Sequence, residues 1–147
     1  MAEKNENEGL AEVLKVTVCT PDGIRTETAC SHVVVPGEEG DMMVLPKHCG
    51  TVVPLRTGVL EVHHPNNVEY LSVAGGSMSV EDDAVTISAY AAEAGEEIDV
   101  DRALRAKERA ERAIESEEEG RRIHLAKAAL YRALTRLEVH DLTRGKD

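Results

Sequence analysis

The sequence has no tryptophan, no phenylalanine and only three tyrosines among 147 residues. A core without large rings must be packed from Val, Leu, Ile, Met and Ala, and the 41% hydrophobic content is enough for a domain that folds unaided. Positive charge is also scarce. Lys and Arg number 17 against 28 acidic residues, a net charge of -11, which argues against nucleic acid or an anionic lipid surface as partner. The three cysteines, Cys19, Cys30 and Cys49, are odd in number and show no CxxC spacing, so neither a disulfide framework nor a structural zinc site is expected, and a reducing cytosol is the natural setting. No stretch approaches the roughly 18 apolar residues of a membrane span, and Met1 to Leu10 lacks the basic-then-apolar order of a leader, so direct membrane insertion is not expected. There is no Gly-x-x-x-x-Gly-Lys-Ser/Thr loop to orient magnesium and water on a phosphate.

What is present falls into two grammars. Between Glu12 and about Tyr90 the apolar residues alternate with period two, beginning with Leu14, Val16 and Val18 set against Lys15, Thr17 and Cys19. The pattern predicts further strands at Ile24 to Thr28, Ser31 to Val35, Met43 to Leu45, Thr51 to Leu55, Gly58 to His63, Val68 to Val73, Ser77 to Glu81 and Ala84 to Ala89. Turn signals separate them at Pro21-Asp22-Gly23, Pro36-Gly37, Pro46, Pro65-Asn66-Asn67, Gly75-Gly76 and Asp82-Asp83. Many short strands with no helix between them indicate an antiparallel β-sandwich or flattened barrel rather than a parallel sheet.

After Gly95 the residues become Ala, Glu, Arg, Lys and Leu, with no Pro or Gly from Glu96 to Glu119. Asp99 suits a helix N-cap, and a first helix is expected to about Ser116. Gly120 should break the run and a second helix should follow from about Arg121 to His140. Ala103, Ala106, Ala110, Ala113 and Ile114 share one face of the first. Ile123, Ala126, Leu130, Ala133, Leu134 and Leu137 share one face of the second. The fold class is thus α+β, an N-terminal β-sandwich followed by an antiparallel two-helix hairpin. The expected units are a flexible acidic tail over 1–11, a β-domain over 12–92 and a helical domain over 93–147. An Ala-lined seam buries little apolar area, so the hairpin is expected to be only marginally closed.

Arg102 and Arg109 are seven apart on one helical face, and Arg132 and Arg136 are four apart on the other helix. Guanidiniums converging in this way suit a triphosphate. A solvated charged face paired with Glu108, Glu111 and Glu138 is the ordinary alternative. The adjacent residues His63-His64 and His48-Cys49 point to opposite faces of a strand, which does not suggest a metal site.

Three motifs occur in register. They are Gly37-Glu38-Glu39-Gly40-Asp41-Met42-Met43-Val44-Leu45-Pro46-Lys47-His48, then Val73-Ala74-Gly75-Gly76, and then Glu97-Ile98-Asp99-Val100-Asp101-Arg102-Ala103 leading into Lys107-Glu108-Arg109-Ala110-Glu111-Arg112-Ala113. Together with the order of the two halves they resemble the epsilon subunit family of rotary ATP synthases over Leu14 to Leu142, departing from it at Met43, where the family usually has Gly. The resemblance implies a non-catalytic rotor subunit with no required cofactor. Its partners would be the gamma subunit, the c-subunit ring and the catalytic alpha and beta subunits, at the cytoplasmic face of a bacterial plasma membrane. It implies ring or rotor contact near Glu39, Asp41 and His48. It also implies a regulatory ATP site drawn from Glu93, Ile98, Asp99, Arg102, Ala103, Arg109, Arg132 and Arg136, and a hairpin that inhibits hydrolysis when it extends. The competing readings are a free-standing nucleotide-sensing or protein-interaction module and a small metalloenzyme.

Overall fold

The computed structural model describes residues 13–116 and 121–145, so the tail expected over 1–11 and the break expected at Gly120 lie outside the described residues. Period-two segments become strands β1 (Leu14–Thr20), β2 (Gly23–Cys30), β3 (His32–Gly37), β4 (Gly40–Val44), β5 (Thr51–His63), β6 (Val68–Glu81), β7 (Ala84–Ser88) and β8 (Ala92–Ala94). A 3-10 turn (Gly95–Glu97) leads into helices α1 (Val100–Ser116) and α2 (Arg121–Gly145). The α+β class read from the sequence is the one observed.

One sheet runs β2-β1-β7-β6-β5-β3-β4, with β8 added on β6. Buried residues of β1 (Leu14, Val16, Val18) share one cluster with those of β3 and β4 (Val33, Val35, Val44), although these strands stand far apart in the order. The sheet therefore folds over on itself into two layers, and β5 and β6 pass through both.

The fold-over is visible in side-chain parity. Along β5 the inward residues are Val53 and Leu55, then Gly58, Leu60 and Val62; along β6 they are Leu71 and Val73, then Met78 and Val80. The core-facing face switches on both strands at one level, where Leu55 pairs with Gly76 and Thr57 with Ala74. Gly75 (φ 71°) and Gly76 (φ 114°) make the switch in a backbone region that side chains disfavour. A Cβ on Gly76 would run into the Ser88 carbonyl oxygen and the Ala89 Cα.

Several expectations are corrected here. Gly75-Gly76 is not a turn between two strands but a corner within β6, and the segments expected at Thr51 to Leu55 and Gly58 to His63 are one strand. The Pro36-Gly37 pair lies inside β3, and the turn falls at Glu38-Glu39. The sheet is not wholly antiparallel, because β1 pairs with β7 in parallel. The Asp82-Asp83 turn is as expected. Both residues have positive φ, as a two-residue hairpin of the primed type requires.

The two helices pack on one another, and α2 lies against β5, β6 and the 3-10 turn. Its seam is small, with Ala103 and Ala110 of α1 and Ala126 and Ala133 of α2 buried. Helix α2 continues five residues past the expected end at His140, because its last turn docks on the sandwich. Gly95 meets Thr143 so closely that a Cβ there would overlap the threonine side chain. Two packing partners also spread the apolar residues around α2. Val139 and Thr135 are buried, whereas Leu134, expected on the seam, is 39% exposed.

Cross-strand pairing of His32 with His63 stacks their rings, with centroids 4.2 Å apart at 15°. Glu61 accepts from His63 Nε2 at 2.9 Å, and Ser31 Oγ lies 3.2 Å from His32 Nδ1. Burial, and then repulsion from His63, hold His32 below the usual histidine value of 6.5 against the opposing pull of Glu61. The unfolded chain takes up this proton at higher pH than the folded one. The stabilisation is thus complete above pH 6.5 and is lost as the pH falls through the depressed folded value. Urea midpoints measured at successive pH values should fall across that window, and a His32→Gln chain should show a shallower fall; equal slopes would contradict the assignment.

Candidate functional site

Where β8, the 3-10 turn and the two helices meet, a cleft of about 460 Å³ is lined by Glu93, Glu97, Asp99, Arg102, Ala103, Arg105, Ala106, Arg109 and Arg136. Each wall has a local cause. Glu93 is held by the pairing of β8 with β6, Ser72 opposite Glu93. Asp99 caps α1, its Oδ1 accepting from the Arg102 backbone N–H at 3.1 Å, an arrangement that stabilises a helix by about 1 kcal/mol. Arg102 and Arg109 then stand in line two turns apart, and Ala103 and Ala106 leave room beside the helix.

The charges are not evenly engaged. Arg136 Nε donates to Glu93 Oε1 at 2.7 Å, a half-buried pair that ties α2 to the sandwich. Arg25 Nη2 of β2 donates to Glu97 Oε2 at 3.0 Å, a second tie between the sheet edge and the entry to the hairpin. All three cleft carboxylates therefore have a partner. Among the described residues, no ion pair or side-chain hydrogen bond engages the guanidiniums of Arg102, Arg105 or Arg109. An exposed cleft with its acids engaged and three cationic forks open favours an anion with several oxygens.

Of the residues expected from the sequence, the fold gathers Glu93, Asp99, Arg102, Ala103, Arg109 and Arg136 around this cleft. Ile98 is buried, at 7% exposure, and does not line it. Arg132 is exposed and lies one turn before Arg136, outside the lining. Glu97 and Arg105 line the cleft and were not singled out by sequence. The i,i+3 spacing of Arg102 and Arg105 carried a signal for the second, whereas nothing local marked Glu97.

Outside the cleft lining, Glu39 is exposed in the β3–β4 turn. Asp41 Oδ1 accepts from Arg56 Nη2 at 2.7 Å, and Arg56 Nη1 also donates to the Gly37 carbonyl at 2.7 Å. His48 is half-buried, with Nδ1 donating to the Cys49 carbonyl at 2.8 Å. Met43 in the edge strand β4 and Leu45 just after it are 54% and 51% exposed, an apolar fringe. Among the described residues no cluster of three or more His, Cys, Asp or Glu side chains is arranged to hold a metal ion, and no helix is long and apolar enough to cross a membrane.

Comparison with known proteins matches both halves. The family model "ATP synthase, Delta/Epsilon chain, beta-sandwich domain" covers residues 13–95, and "ATP synthase, Delta/Epsilon chain, long alpha-helix domain" covers residues 96–141. The ATP synthase epsilon chain of Bacillus velezensis is 41% identical over 128 residues, spanning 87% of this chain and 97% of its own length. That of Bacillus licheniformis is 39% identical over 128 residues, with 87% and 98% covered. Among solved structures, a chain of the Euglena gracilis mitochondrial ATP synthase (OSCP/F1/c-ring) superposes with a TM-score of 0.74 at 28% identity, covering 88% of this chain and 81% of that one. A chain from the central stalk and c-ring of the Tetrahymena thermophila enzyme has the same fold, with a TM-score of 0.60 at 15% identity. With a sandwich and a helical hairpin both matched in order, and bacterial relatives aligned over nearly their whole length, this chain belongs to the epsilon subunit family of the F-type ATP synthases.

Proposed function

We propose that the chain is a non-catalytic regulator of the synthase, whose hairpin binds ATP in the cleft when folded down and restrains hydrolysis when released. The observation that carries this is the cleft's charge state. Among the described residues Arg102, Arg105 and Arg109 have no side-chain partner while every lining carboxylate is engaged, and the walls come from both the sandwich and the hairpin. A polyphosphate held there bridges the two and favours the closed arrangement. The carboxylates at the far end are acceptors for a purine amino group or a ribose hydroxyl.

The switch must be nearly balanced for such a ligand to matter, because ATP at tenfold over its dissociation constant shifts the equilibrium by only about 1.4 kcal/mol. The small seam fits that requirement. Leu125 and Tyr131 of α2, 60% and 62% exposed, are apolar surface that the sandwich does not cover, as expected of a helix with a second docking partner. In this reading the released hairpin meets the alpha and beta subunits. The β4 end, with Glu39, Asp41, Met43 and His48, faces the gamma subunit and the c-ring, and the protein is peripheral to the membrane through the complex.

Calorimetric titration of the full chain with ATP tests the ligand. Saturable binding is expected, and no heat at millimolar ATP would refute it. The regulatory part is tested by Ala110→Leu, which overfills a seam position that is 4% exposed and disfavours closure by about 1–3 kcal/mol. A synthase assembled with this variant should stay restrained at ATP concentrations that release the unmodified complex. Equal release in both would remove the regulatory claim.

A further inference from the structure

The structure assigns Arg105 to the anion-binding wall of the cleft, where we infer that it is an additional phosphate-binding residue that makes affinity depend on the number of phosphates. The inference rests on the nucleotide reading above. Arg105 lines the cleft with Arg102 and Arg109, is exposed, and has no ion pair or side-chain hydrogen bond among the described residues. Helical geometry sets the arrangement. Arg102 and Arg109 are separated by about 10 Å along the axis at nearly the same angle, and Arg105 lies between them in height, about 60° to one side. Ala103 and Ala106, whose side chains end at Cβ, line the cleft on the other side of Arg102 and Arg109 from Arg105 and leave it open there. A chain of linked phosphates laid along α1 from Arg102 towards Arg109 passes Arg105 midway, whereas a single phosphate held at either end does not reach all three.

None of the carboxylates lining the cleft pairs with this guanidinium. Glu93 is taken by Arg136, Glu97 by Arg25 and Asp99 by the backbone of Arg102. Arg112, the first basic residue after Arg109, is outside the lining, and its Nε donates instead to the Glu108 carbonyl at 3.4 Å. Arg112 is therefore the control for loss of one positive charge from the same helix.

The test titrates the full chain with ATP, ADP, AMP and inorganic tripolyphosphate, beside Arg105→Gln, Arg105→Lys and Arg112→Gln. Arg105→Gln should weaken ATP and tripolyphosphate about tenfold, as expected for one solvent-exposed charge-assisted contact, and should leave AMP nearly unchanged. Arg105→Lys should recover part of the loss and Arg112→Gln should lose less than about twofold. Circular dichroism melting of each variant checks that the hairpin is still formed. If the unmodified chain binds ATP but Arg105→Gln binds it equally well, or weakens AMP as much as ATP, the assignment of Arg105 is overturned and the nucleotide reading stands. If the unmodified chain binds neither ATP nor tripolyphosphate, both fall together.

Discussion

A chain carrying Arg102→Ala together with Arg109→Ala is expected to bind ATP at least about a hundredfold more weakly than the unmodified chain. Hydrogen bonds to charged groups contribute roughly 1.5–3 kcal/mol each. Both side chains are exposed, so the lower end applies, and two such losses multiply to about two orders of magnitude. Neither position is buried and alanine is the strongest helix former, so the hairpin should fold as before. The comparison that locates the site is Arg132→Ala. The family resemblance includes Arg132 in the ATP site, but the folded chain leaves it outside the cleft lining, and its removal should cost less than loss of either Arg102 or Arg109. A loss at Arg132 equal to that at Arg102 would show that α2 turns further into the cleft when ligand arrives.

Gly76→Val should leave little folded protein. Its Cβ would overlap the Ser88 carbonyl oxygen and the Ala89 Cα, both backbone atoms that cannot swing away, at a φ of 114° that a β-branched residue rarely adopts. Strain and overlap together should cost about 4 kcal/mol or more, against a total stability of roughly 5–15 kcal/mol. Gly23→Val is the informative partner. Its φ of 120° is equally unusual but no atom lies within 4 Å of the added Cβ, so it isolates the backbone strain, about 1–3 kcal/mol. Urea denaturation of the two separates the contributions, and a Gly76→Val chain as stable as Gly23→Val would show that the corner can relax.

The sandwich was legible where its signal is local. Alternation of Val, Leu and Ile marked β1, β3, β6 and β7, and the Asp82-Asp83 hairpin announced itself by residue type. It was illegible where a strand bends without ending, because Gly75-Gly76 gives the same signal whether the chain reverses or turns a corner. Strand β8 could not be read at all. Ala-Glu-Ala has no strand preference of its own and is extended only because Leu71, Ser72 and Val73 pair with it. The stacking of His32 on His63 likewise exists only through cross-strand register, which adjacency in sequence conceals. At the cleft, helical spacing put Arg102 and Arg109 on one face of α1, and both line it. Glu97 and the exclusion of Ile98 depend on how the 3-10 turn packs, through Gly95 against Thr143, which no local pattern encodes.

Strand β1 is made first and yet lies between β2 and β7, with Lys15 registered against Ala84. On a ribosome the first hairpin therefore waits, one flank open, until the five-residue strand β7 has emerged, and such distant pairing is slow to form. The helical hairpin emerges later still, after β5, β6 and the 3-10 turn that receive it have all been made. A newly made chain thus has every strand of the helices' seat in hand before the helices themselves are finished.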